Sequence, residues 1–308
     1  MPPPDHFYGG QAVLEGVMMR GRHHWAVAVR KPDQSVHVES HLIRSIARRV
    51  PFLLKPGLRG VLALGQALSI GVRALTISAN QSVEEDKKLT PRQMALSMTL
   101  AFTLFTVVFI VAPYVGFRIF RRGVPSSVLR NVLEGVLRVG LFVGYLALIG
   151  RMKEIRRVFE YHGAEHKTIA AYEHDEALDP VAVDRYSTLH VRCGTNFLLI
   201  VMVLTILVYS AFPSRGLLAG IASRLVAIPL IAGLSYEVLR LGAKRSGSRL
   251  MRALMVPGLW LQKITTKPPD RGQIEVAILA FEEVLRAEGK LWPASGPAGS
   301  EGLDRQGS

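Results

Sequence analysis

A single cysteine, Cys193, stands in 308 residues, so no intrachain disulfide can form and nothing implies an oxidising compartment. Acidic residues are scarce beside basic ones, 24 against 38, which leaves a formal net charge of +14 at pH 7. Such a surplus could suit nucleic acid. The basic residues gather at the ends of apolar runs, however, where anionic lipid headgroups account for them, and no nucleic-acid partner is expected. The opening Met1-Pro2-Pro3-Pro4-Asp5 has neither a basic n-region nor an apolar h-region. No cleaved signal peptide is expected, and the first true span is expected to do the targeting. There is no internal repeat, and the glycines match no phosphate-loop spacing.

Apolar sequence is what the chain has in quantity, 49% hydrophobic residues with a mean hydropathy of +0.25. It is concentrated in runs. Ser97 to Phe117 is charge-free and long enough to cross a hydrocarbon core at 1.5 Å per residue. Phe197 to Phe212 is also charge-free and becomes long enough with Gly194, Thr195 and Asn196 at the interface. Val128–Gly150 carries Arg130, Glu134 and Arg138, and Leu217–Glu237 carries Arg224, but each follows a clean span after a short connection. Two helical hairpins in the membrane is the economical reading. Glu134 and Arg138, four residues apart, are expected to pair, and Arg224 to snorkel or face the bundle. Lys and Arg near the span ends divide thirteen against five, which predicts both termini and the central loop in the cytoplasm.

The expected class is therefore mainly α: a multi-pass membrane protein of about four spans, with a small N-terminal β-hairpin and cytoplasmic helices. Along the chain, residues 1–45 hold a Gly-rich segment, read as tight turns, and then a hairpin over 25–43 about the Lys31-Pro32-Asp33-Gln34 turn. Residues 46–95 read as interfacial helices. The stretch from Gly57 to Ala79 is apolar but broken by Arg59, Gln66 and Arg73, which suits a half-buried helix on the membrane, with a re-entrant segment as the alternative. The first transmembrane hairpin follows at 96–150, a cytoplasmic helix and loop at 151–193, and the second hairpin at 194–240. In the cytoplasmic segment 241–289, Ile274, Ile278, Phe281 and Leu285 fall on one face of a docked helix. Residues 290–308 read as a disordered tail.

The chemistry concentrates in Tyr161-His162-Gly163-Ala164-Glu165-His166-Lys167. Two histidines four apart lie on one helix face with a glutamate beside them. This is the His-x-x-Glu-His order in which two neutral imidazoles hold zinc and the carboxylate takes a proton from water. Nine His and sixteen Glu in 308 positions give roughly 0.014 accidental matches. The plainer reading is a polar helix face at a membrane surface.

Topology brings further candidates to the same face. His190 and Cys193 precede the third span, and Glu237 ends the fourth. A catalytic zinc needs three protein ligands and an open position. His162 and His166 supply two, Glu237 is the first choice for the third, and His190 or Cys193 the alternative. Glu165 is the expected general base, and Glu173, two turns beyond His166, an outer-shell partner. The plainer reading makes Cys193 a small residue at a helix start, His190 a polar residue before it, and Glu237 the partner of Arg240.

Gly9-Gly10-Gln11-Ala12-Val13-Leu14-Glu15-Gly16-Val17-Met18-Met19-Arg20, the His162–His166 motif, Arg192-Cys193-Gly194-Thr195-Asn196-Phe197 and Leu234-Ser235-Tyr236-Glu237 resemble the signatures of the uncharacterised bacterial domain-of-unknown-function family 1385, the YqhQ-like membrane proteins. The resemblance implies a multi-pass membrane protein described as a predicted metal-dependent enzyme, with no established substrate. It groups Glu15 with the other candidates.

The expected function is a hydrolase-like membrane enzyme using a divalent metal, with zinc first, on a peptide or lipid-linked substrate at the bilayer. A non-enzymatic scaffold or assembly factor, its His and Glu residues forming a polar network, is the alternative. A transporter would need polar residues along the spans, and these are scarce in the first and third. The sequence leaves homo-oligomerisation open.

Overall fold

The structure is a computed structural model that describes residues 8–44, 52, 55–84, 88–120, 126–190, 193–211, 216–244 and 249–290. Its N-terminal part is a four-stranded antiparallel sheet of β1 (Gly9–Val13), β2 (Gly16–Arg20), β3 (His24–Arg30) and β4 (Val36–Leu42), in that spatial order. The expected hairpin is β3–β4, closed by Lys31 N–H donating to Ser35 O and Gln34 N–H to Lys31 O. The Gly-rich segment, expected as turns, instead makes a second hairpin, and only Leu14-Glu15 turns, with Glu15 at φ 53°. Its strands lack obvious polar alternation because both sheet faces are covered. Val17, Met19, Ala26 and Ala28 pack on one side, and Val13, Met18, Trp25, Val27 and Val29 on the other.

Helix α1 (Leu58–Gln81) covers the second face through Ile70 and Ala74. Its first turn packs on a membrane helix, with Gly60 against Gly233 and Tyr236. Long and apolar enough to cross a membrane, it raises the candidates from the expected four to five, and one side lies along the sheet. Its interrupting polar residues meet partners: Arg59 meets Glu237, Gln66 accepts from Arg20 at 2.6 Å, and Arg73 lies over the Trp25 ring.

The four expected spans are present in this multi-pass α-helical membrane protein. The first is α2 (Pro91–Thr106), continued by a π-helical turn at Val107–Val111 into α3 (Ala112–Phe120). Thr90 and Gln93 form its capping box, with Pro91 at the first helical position. The others are α4 (Ser127–Ile149), α7 (Gly194–Ala211) and α8 (Leu217–Lys244). Side chains such as Leu96, Leu100 and Leu207 stay outward, as a lipid solvent allows. The intramembrane charges converge. Glu134 accepts from Arg138 at 2.8 Å and from Arg224 at 2.7 Å, so Arg224 faces the bundle, its guanidinium 3.8 Å from the Tyr114 ring centroid.

Between the hairpins lie α5 (Lys153–Glu173) and α6 (Pro180–Asp184), the latter inside the segment expected as a loop and capped by Asp179. After α8 come α9 (Arg249–Thr265) and α10 (Arg271–Ala287). The predicted stripe Ile274, Ile278, Phe281 and Leu285 is buried against α5 and the first sheet face. Helix α9 bridges to the spans, where Leu261 joins Phe109 and Phe142. The tail expected over 290–308 lies, beyond Lys290, outside the described residues, as do Val191 and Arg192 before α7.

Candidate metal centre

Helix α5 buries polar residues where an ordinary surface helix would expose them. Glu165, His166, Lys167 and Thr168 are all buried, enclosed by Tyr161, Ala164 and Ile169 of the core. Gly163 explains one wall. A methyl group there would overlap the Lys267 carbonyl, so glycine lets the chain leaving α9 cross the helix closely. Lys267 N–H donates to Phe159 O at 2.9 Å, and the crossing brings the Thr265 carbonyl 2.8 Å from His162 Nδ1.

The two histidines are held alike. A carbonyl can only accept, so His162 Nδ1–H donates to Thr265 O and His166 Nδ1–H to Thr188 O, at 2.5 Å. In neutral rings this leaves both Nε2 atoms with free lone pairs. His162 Nε2 lies 3.2 Å from Cys193 Sγ, and His166 Nε2 is buried without a hydrogen-bond partner. Ligand atoms of His162, His166 and Cys193 all lie within 4.8 Å of one another, the one such group among the described residues. Thr195 donates to the same sulfur from its hydroxyl at 3.2 Å and its amide at 3.4 Å.

Burial sets the charges. It pushes His166 down to about 3, helped by neighbouring His162, so the ring is neutral at pH 7. It lowers His190 and raises the Cys193 thiol, Thr195 partly opposing the latter. Glu165 is pushed up to about 8, mainly by burial, with His162 pulling it down and Cys193 raising it further. Its Oε2 is buried and unpartnered, like His166 Nε2. The other side of that carboxyl rests on Gly10 of β1, where a methyl group would come 2.9 Å from Glu165 Cδ.

The remaining candidates divide. His190 lies beside the group, its ring centroid 5.7 Å from that of His166 and its Nε2 3.3 Å from Glu173 Oε2. Gln262 of α9 clamps its backbone, accepting from His190 N–H at 2.9 Å and donating to His190 O at 2.8 Å. Glu237 is not brought in. It accepts from Arg59 Nε at 2.7 Å and Gly57 N–H at 3.2 Å, a tie between α8 and α1. Glu15 is also apart, bonded to Arg157 and, at 3.3 Å, to the Tyr161 hydroxyl, so it braces α5 from the β1–β2 turn. Sequence reasoning missed Gly10 and Gln262 as wall and clamp, and the Thr188 and Thr265 carbonyls, whose role no side chain announces.

A family model described as a protein of unknown function, DUF1385, matches residues 55–287 and so begins after the sheet. The chain is 35% identical over 300 residues to the uncharacterized protein YqhQ of Bacillus subtilis (strain 168), covering 91% of this chain and 93% of that one. These descriptions name no reaction, metal or substrate. No solved structure matches the chain.

Proposed function

The chain belongs to the DUF1385 family of proteins of unknown function, and from that premise and its buried polar group we propose that it is a metal-dependent, hydrolase-like membrane enzyme. One observation carries the reading: His162, His166 and Cys193 converge within 4.8 Å while His166 Nε2 and Glu165 Oε2 beside them lie buried without partners. Buried polar atoms are ordinarily satisfied, and two orphans next to a thiol and a second imidazole fit a missing cation.

The donor set fits zinc. Two imidazole nitrogens and one thiolate leave a fourth tetrahedral position open. His162 and His166 would bind through Nε2, with Thr265 and Thr188 orienting the rings through Nδ1–H. Cys193 would bind through Sγ after giving up the proton it shares with His162 Nε2. When bound, such an ion acidifies water and polarises a carbonyl or phosphoryl oxygen. Glu165 Oε2 would hold and return the proton, and the surrounding burial would keep bulk water away. The position of the centre between the spans and the sheet suits a peptide or lipid-linked substrate at the bilayer surface. In this reading the membrane is the bacterial inner membrane, with the centre and both termini cytoplasmic.

The test is elemental analysis of detergent-purified wild type beside His162→Ala/His166→Ala, both shown to be folded, with a repeat after metal is added back. Near-stoichiometric zinc lost in the double variant supports the reading; equal, trivial metal in both after re-addition overturns it. A scaffold role is the second reading. What favours it is that His162–Cys193, His190–Glu173 and Gln262–His190 already tie α5, α9 and the segment before α7 into one network. A partner that survives detergent purification, together with absent metal, would support it.

A further inference from the structure

On the sheet face opposite the metal centre, α1 and the end of β4 enclose a groove of about 820 Å³, within the range of small-molecule sites. Its floor is a stripe at helical spacing, Leu58, Leu62, Gly65 and Ser69, ending at Arg73; Arg44 stands on the opposite wall. From Leu58 to Arg73 the stripe runs about 22 Å along the helix. The two ends differ in chemistry and in place. The Leu58 end adjoins Gly60, which packs on Gly233 and Tyr236 near the end of the α8 span, so it opens at the bilayer. The Arg73 end lies by the sheet, where its guanidinium is 3.3 Å from His41 Nδ1. Glu39, the acid on the same strand, is bonded to His37 and also faces Arg73, so a phosphate would share that guanidinium with a carboxylate. A trough that is apolar at Leu58 and Leu62, carries the Arg73 guanidinium at its sheet end and has Arg44 on the facing wall has the polarity of an acyl chain followed by an anionic head.

We propose that this groove holds one glycerophospholipid with an anionic headgroup, drawn from the leaflet on the sheet's side of the bilayer. The headgroup phosphate sits at Arg73, an acyl chain lies along Leu62 and Leu58, and Arg44 adds positive charge from the facing wall. Arginine suits the role because its planar donors fit phosphate oxygens in pairs. The inference rests on the membrane spans and is independent of the metal.

The experiment uses the full chain in detergent and native mass spectrometry, titrating dioleoyl phosphatidylglycerol and, separately, dioleoyl phosphatidylcholine. One phosphatidylglycerol should be retained about fivefold more tightly than phosphatidylcholine, and Arg73→Gln should weaken it about fivefold, the scale of one basic residue's attraction to anionic lipid. Gly65→Trp should abolish retention by filling the groove. A Cβ at Gly65 meets no atom within 4 Å and points into open space, so the melting temperature should hold. The two substitutions act by different means, so if one unfolds the protein the other decides. Equal retention of both lipids, unchanged retention in the folded variants, or displacement by inorganic phosphate, which would mark a soluble-anion site, would each overturn the proposal.

Discussion

Gly10 and Glu165 are in contact across the junction of sheet and helix: a methyl group on Gly10 would sit 2.6 Å from Met18 O and 2.9 Å from Glu165 Cδ. The first strand is thereby coupled to the candidate base. Gly10→Ala should force the Glu165 carboxyl or the β1–β2 ladder to shift, at about 1–3 kcal/mol, the usual range for overpacking. A lower melting temperature with altered metal content is the expected result. Gly9→Ala, whose new methyl meets nothing within 4 Å, is the control that should leave both unchanged.

Glu165 and His166 should give the metal-free protein a pH signature. The Glu165 pKa is raised from 4.5 to about 8, so its contribution to stability is full below 4.5 and is lost as pH climbs to about 8. The His166 pKa is lowered from 6.5 to about 3, so its contribution is full above 6.5 and is lost as pH falls. Between pH 4.5 and 6.5 the two oppose each other. Between 6.5 and 8 Glu165 acts alone, and stability should fall by about 2 kcal/mol at 1.36 kcal/mol per unit. Melting curves in chelator should show this decline in wild type and a flat line in Glu165→Gln.

Metal uptake should release protons, and Cys193 should supply one of them. Its thiol is raised by burial and so protonated at pH 7, whereas ligation requires the thiolate. The neutral His166 imidazole can bind without losing a proton. Zinc affinity should therefore rise about tenfold per pH unit for each proton released. Calorimetry in buffers of different ionisation enthalpy counts the protons. Cys193→Ser should lower the count by one, and an unchanged count would remove Cys193 from the ligand set.

What the sequence disclosed and what it hid follow from the kind of interaction involved. The spans were legible because a bilayer imposes one local requirement, a long charge-free run, and Ser97–Phe117 meets it. Helix α10 was legible for a similar reason, its buried stripe recurring at helical spacing. The β1–β2 hairpin was hidden because Val13 and Met18 face α1 while Val17 and Met19 face the other side, so no polar alternation marks the strands. In α1, Arg59, Gln66 and Arg73 looked like interruptions because their partners are distant in sequence. The third member of the candidate metal group was ambiguous for the same reason: spacing places Cys193 and Glu237 near one membrane face but cannot say which meets His162.

The separate job of Glu237 is testable against the metal group. Its carboxylate ties Arg59 and Gly57 to α8. The pair is open to solvent, so screening keeps what such a bond contributes small. Glu237→Gln should lower the melting temperature slightly and leave bound zinc at the wild-type level, whereas His162→Ala should remove the metal. Loss of zinc in Glu237→Gln in a protein that still melts cooperatively would return Glu237 to the ligand set.

The intramembrane triad calls for a cycle of variants. Glu134 is buried and accepts from Arg138 of its own helix and Arg224 of α8, linking α4 to α8. Two guanidiniums share one carboxylate, with the Tyr114 and Tyr209 rings facing the Arg224 cation at 3.8 and 4.9 Å. Removing Glu134 alone would leave two buried positive charges without an anion, and losing one partner of a buried pair costs about 3–5 kcal/mol. Glu134→Leu should therefore be the most damaging single change in the spans. Adding Arg138→Leu and Arg224→Leu to it should restore much of the loss, because the desolvation cost disappears with the charges. Unfolding of each variant in mixed detergent measures the difference. A triple variant no more stable than Glu134→Leu alone would show that the arginines stabilise the bundle by packing on Tyr114 and Tyr209 more than they strain it by charge.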